Sequence, residues 1–97
     1  MHVGVCRMTL HIPQNRSLKG KRQVVHSLCG RLRSRFQVSV AEVGDQDLWQ
    51  SAVIGIVTVD GEPARASAAI DRVIEFTETN FPDVQVVGCE RDVLDLT

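Results

Sequence analysis

The chain has 97 residues, 43% of them hydrophobic and 24% charged, with a formal net charge of −1. That length suits one domain of about 100 residues, and that balance excludes a disordered or fibrous chain. No apolar run nears the roughly 18 residues that cross a bilayer, so a transmembrane protein is excluded.

Residues 2–12 alternate, with Cys6, Met8, Leu10 and Ile12 on one parity and Val3, Val5, Arg7, Thr9 and His11 on the other. A period of two predicts a strand, and Pro13 ends it. Ser17 suits the cap of a following helix, because its hydroxyl can accept from free backbone N–H groups. Over 18–35, Leu18, Val25, Cys29, Leu32 and Phe36 fall on one stripe at 3.6 residues per turn, with Leu28 at its border. Phe36 to Val43, rich in β-branched residues, reads as a second strand, and Gly44-Asp45-Gln46-Asp47 as a turn. Residues 50–59 form a third strand, apolar on both parities. Asp60-Gly61-Glu62-Pro63 is the next break, with Pro63 suited to a helix's first turn. Ala66, Ala69, Ile70, Val73 and Thr77 mark one face of a second helix over 63–79. Val84 to Val93 gives the fourth strand.

The order is β-α-β-β-α-β in a single domain, residues 1–97. Right-handed crossovers place both helices on one face of a four-stranded antiparallel sheet, an α+β ferredoxin-like sandwich with strands one and three central. The other sheet face has no helix. Val3 and Val5 belong to it, together with either Ala52/Ile54/Ile56 or Val53/Val57/Val59 of strand three. Exposed aliphatic patches of this kind favour association, so a homo-oligomer using this face or a strand edge is expected. Trp49, just after the turn, is a candidate packing or interface anchor.

Charge is unevenly spread. Residues 1–41 hold eight Lys/Arg and no acid, +8; residues 42–97 hold three Lys/Arg and all twelve acids, −9. Two readings follow: a polyanion partner, or segments that interleave and neutralise one another. On the first helix Lys19, Arg22, His26 and Arg33 share one flank, Arg31 and Arg35 emerge on another side, and Arg16 lies in the preceding loop. Lys21 falls near the apolar stripe, where a lysine is expected to snorkel. Arg16, Lys19, Lys21, Arg22 and Arg33 are the candidate phosphate contacts. Strands one and three carry no aromatic residue, which argues against stacking of bases on the sheet.

Catalytic signals are thin. Three cysteines with no close pair fit a reducing cytoplasm better than a disulfide scaffold, and the N-terminus lacks a secretory pattern. No CxxC, CxxH or phosphate-binding glycine loop is present, so neither metal nor cofactor is expected. Cys6 and Cys29 lie on core-facing parities, while the parity of Cys89 is open. His2 and His11 have opposite parity and cannot converge. Glu42 stands out as a carboxylate inside an apolar strand. Either it pairs with a base of the first helix or first strand, or it guards the sheet edge.

Val3-Gly4-Val5 with Leu10-His11-Ile12-Pro13, Ser17-Leu18-Lys19-Gly20-Lys21-Arg22, Arg35-Phe36-Gln37-Val38-Ser39-Val40-Ala41-Glu42-Val43 and Asp47-Leu48-Trp49-Gln50 together resemble the YlxP-like family of small bacterial proteins. The resemblance spans essentially the whole chain, with Gln37 departing from an expected Asn. It implies a ferredoxin-like fold and a protein often encoded near transcription-elongation, translation-initiation and ribosome-maturation factors. It implies no catalytic residues, because the family's function is uncharacterised. The leading expectation is a non-enzymatic cytoplasmic module that binds RNA or a ribosomal component through the basic flank. The alternatives are a protein–protein adaptor or structural oligomer and a small-ligand regulatory domain.

Overall fold

The computed structural model describes residues 1–97. Its elements are β1 (His2–His11), α1 (Leu18–Arg35), β2 (Ser39–Gly44), β3 (Ser51–Asp60), α2 (Pro63–Asn80) and β4 (Gln85–Asp95). They form one antiparallel sheet in the order β2-β3-β1-β4, with β1 and β3 central as the hydrophobic pattern requires. No helix is long and apolar enough to cross a membrane.

The core lies between the sheet and the two helices. Cys6, Met8, Leu10 and Ile12 from the first strand region meet Ala52, Ile54 and Ile56 of β3, with Val25, Leu28 and Leu32 of α1 and Ile70 and Val73 of α2. Each such aliphatic side chain contributes about 1.5–3 kcal/mol on burial. Leu28, placed at the stripe's border by angle alone, is fully buried, and Phe76 joins the predicted face of α2. Gly4 permits close helix packing. A Cβ there would meet Thr58 Cγ2 at 3.0 Å and the Ala66 carbonyl at 3.2 Å, the kind of approach that selects glycine inside a strand.

Two boundaries differ from expectation by more than one residue. The second strand starts at Ser39 rather than Phe36. Phe36 instead caps α1, its N–H donating to the Leu32 carbonyl, and its ring sits edge-on to Phe76 at 5.6 Å. The fourth strand runs on to Asp95, because β1 pairs with it as far as His2.

The uncovered sheet face is formed by the valine parity of β3. Val3 is flanked by Val59 and Leu94, and Val5 by Val57 and Asp92. Val57, Val59 and Leu94 are 44%, 61% and 50% exposed. Beside them Val5, Arg7, Gly55, Val57, Glu90 and Asp92 surround an open depression of about 400 Å³. Trp49 is also exposed, but it lies at the other end of the sheet. It precedes Ser51, the partner of His11, whereas Val3 pairs eight residues away with Val59. At about 3.4 Å per residue the two sites are roughly 27 Å apart along the strand, so Trp49 and Val3/Val5 do not form one surface.

Candidate nucleic-acid interface

The basic segment begins at a well-defined helix start. Ser17 is extended, at φ −154° and ψ 156°, and its Oγ accepts from Gly20 N–H at 2.9 Å. This satisfies one of the free donors of the first turn. No acidic residue occupies that turn, so the positive end of the helix dipole adds to the cations around it.

Arg16, Lys19, Arg22 and Arg33 are all exposed. None lies within 4.0 Å of a carboxylate. The ion pairs of the molecule are Arg7–Glu90, Lys21–Glu42, Arg65–Asp60 and Arg91–Asp71, and His2 lies 3.5 Å from Asp95. At 1.5 Å per residue the row from Arg16 to Arg33 extends about 25 Å. Arg22, His26 and Arg33 line a shallow groove of about 230 Å³ above Val25, Cys29 and Glu42. Arg33 is also tied to the sheet, donating from Nη2 to the Val40 carbonyl at 2.7 Å. That bond fixes the guanidinium's position and leaves its other donors open.

Lys21 must be removed from the set of phosphate contacts. It is fully buried, and instead of snorkelling outward its ammonium points inward under the β2–β3 turn. Nζ donates to the carbonyls of Asp45 at 2.6 Å, Gln46 at 3.1 Å and Ser51 at 3.2 Å. Glu42 Oε2 lies 3.2 Å away. Of the two readings of Glu42, pairing with a base of the first helix is the one realised. The turn itself is held in place by this lysine. Asp45 has φ 59°, a left-handed conformation that Asp tolerates better than most residues, and its Oδ2 accepts from Ser51 Oγ at 2.7 Å.

Arg31 and Arg35 have a different role. The Arg31 guanidinium stands 5.3 Å from the Phe76 ring centre and 4.9 Å from that of Phe81, and Arg35 stands 5.3 Å from Phe76. These are cation–π distances, and they join the end of α1 to α2. This seam was not anticipated from the sequence. Its signal was present in the spacing of Arg31 and Arg35 one helical turn apart beside aromatic residues.

The histidines stay apart. His2 Nε2 lies 3.5 Å from Asp95 and His11 Nδ1 3.0 Å from the Gln50 carbonyl, at opposite ends of β1. Burial pushes the Cys29 thiol up, with Glu42 adding to the rise and Arg33 opposing it. A thiol held neutral in this way suits a packing role better than a nucleophile.

A four-stranded antiparallel sheet in this order, with two helices on one face and a cationic helix flank, defines a ferredoxin-like α+β domain. The chain belongs to the family described as "Protein of unknown function (DUF503)", which it matches over residues 3–91. It is 35% identical over 69 residues to the uncharacterized protein YlxP of Bacillus subtilis (strain 168), covering 71% of this chain and 74% of that protein. Among solved structures it is similar to the de novo designed protein Foldit4, with a TM-score of 0.55 and 10% identity across the full length of both chains. At that identity the likeness concerns the fold alone.

Proposed function

We propose that this protein is a non-catalytic module that docks on structured RNA through the exposed face of α1 and the loop before it. Arg16, Lys19, Arg22 and Arg33 serve as phosphate contacts, and the reading places the protein in the cytoplasm. The observation that carries this reading is the absence of any carboxylate within 4.0 Å of these four cations in a chain that has more acids than bases. Five of the twelve acids lie within 4.0 Å of other basic side chains: Asp95, Glu90, Asp60 and Asp71 against residues of other elements, and Glu42 against buried Lys21. Lysine and arginine side chains left in this state are suited to neutralising phosphates, and the counterions they displace supply the driving force. Specificity would come from the shape of the RNA, since the open sheet face offers no aromatic platform for bases.

The test is the affinity of the full chain for a structured RNA hairpin, measured by fluorescence anisotropy for wild type and a Lys19/Arg22/Arg33→Ala triple variant. The expected result is a loss of at least tenfold in the triple. Equal affinities contradict the proposal.

A second reading concerns assembly and rests on the uncovered valine face. We infer that a second copy of the chain covers Val3, Val5, Val57, Val59 and Leu94, because half-exposed aliphatic side chains cluster there in three adjacent strands. Light scattering of Val5→Glu and Val57→Glu variants reads it directly. The mass should fall to that of one chain, and a wild-type mass equal to one chain rejects this arrangement.

A further inference from the structure

Two of the three cysteines meet in a way their spacing in the sequence does not suggest. The β1–β4 register sets Met8 opposite Cys89 and Cys6 opposite Arg91, so the two thiols are diagonal neighbours on the helix side of the sheet. Their Sγ atoms are 3.2 Å apart. Cys6 is buried in the centre of the sheet, and Cys89 is exposed on the edge strand. A disulfide has an S–S distance of about 2.05 Å, so the sulfurs need to close by only about 1.2 Å. Cys29, also buried, forms no hydrogen bond with either sulfur.

We infer that Cys6 and Cys89 are a redox-active pair that closes to a disulfide by exchange with a small-molecule disulfide of the glutathione type. The exposed Cys89 is the entry point. As a thiolate it attacks one sulfur of glutathione disulfide, the S–S bond of that molecule breaks, and one glutathione leaves as a thiolate that takes up a proton. The Cys6 sulfur, already in contact, then gives up its proton to solvent and attacks Cys89 Sγ. The mixed disulfide breaks and releases the second glutathione, which is protonated in turn. The protein loses two electrons and two protons, and glutathione disulfide gains them as two thiols.

The order of events follows from the environments of the two sulfurs. Burial, with the Cys89 contact adding to it, pushes Cys6 up to about 12, so Cys6 is a poor first nucleophile. Its advantage lies in the second step, where proximity makes the attack intramolecular. The bond would tie edge strand β4 to central strand β1 across 83 residues of sequence. It therefore removes freedom from the unfolded chain. Oxidation is then expected to raise the thermal midpoint, and reduction to restore it.

The experiment equilibrates the full chain in glutathione buffers of graded oxidation and reads intact mass and free thiols. Wild type should lose two of its three thiols and two hydrogens, with recovery in dithiothreitol. Cys29→Ala should lose both of its remaining thiols. Cys89→Ser, altered only at the surface, should keep both of its thiols, and Cys6→Ala should stop at one glutathione attached to Cys89. Retention of all three wild-type thiols in fully oxidised buffer would overturn the inference. So would a wild-type chain that stops at a glutathione adduct or forms a covalent dimer.

Discussion

The ammonium of Lys21 lies 3.2 Å from Glu42 Oε2, yet its hydrogen bonds go to three backbone carbonyls and leave that carboxylate oxygen without one. An ammonium has three donors, and here all three are spent on Asp45, Gln46 and Ser51. Glu42 therefore acts through charge. It offsets the cost of burying a cation that the carbonyls alone, as neutral dipoles, compensate incompletely. The two residues together bolt the start of α1 to the β2–β3 turn, beneath the loop and helix turn that present Arg16 and Lys19.

Lys21→Ala should lower unfolding stability by about 3–5 kcal/mol, because it strands a half-buried carboxylate and three carbonyls. Glu42→Gln should cost less, about 1–2 kcal/mol, since Lys21 keeps its three acceptors. Denaturant unfolding of both singles and the Lys21→Ala/Glu42→Gln double measures the coupling. A double that costs the sum of the singles would mean that the pair does not interact.

Ser17→Ala removes the side-chain acceptor for Gly20 N–H. The expected loss is about 1 kcal/mol, read as a lower thermal midpoint with an unchanged far-ultraviolet spectrum. Ser17→Asp should retain the cap, because its carboxylate accepts the same bond and also favours the positive helix end.

Alkaline stability follows from Cys6. Burial, then the Cys89 contact, raise its folded-state value from 9.0 to about 12. The folded chain therefore holds a proton that the unfolded chain gives up between these values, and stability falls as pH rises through that window. Below pH 9 the group contributes no slope. Urea midpoints measured from pH 7 to 11 should decline above 9 in wild type, and the decline should be shallower in Cys6→Ala.

The order of elements was legible because strand parity and helix periodicity agree along the chain, and because β3 is apolar on both parities. That same feature hid which face of β3 is covered. Only the pairing of Val57 with Val5 and Val59 with Val3 settles it. Cys89 was unreadable for a different reason. A bulge near Val87 shifts the β1–β4 register between Thr9 and Leu10, so Val86 and Cys89, three residues apart, face the same side. A strict period of two cannot anticipate that. Lys21 was correctly set beside the apolar stripe, but helix angle gives direction and not depth. The turn that closes over it comes from a segment 24 residues later.

The central claim is that the outward cations of α1 and its preceding loop neutralise phosphates, and the salt dependence of RNA binding tests it most directly. Each lost phosphate contact removes about 0.7–0.9 from the slope of log affinity against log salt concentration. The Lys19/Arg22/Arg33→Ala variant should therefore bind an RNA hairpin with a slope shallower than wild type by about 2–3. Identical slopes for the two proteins would contradict the account.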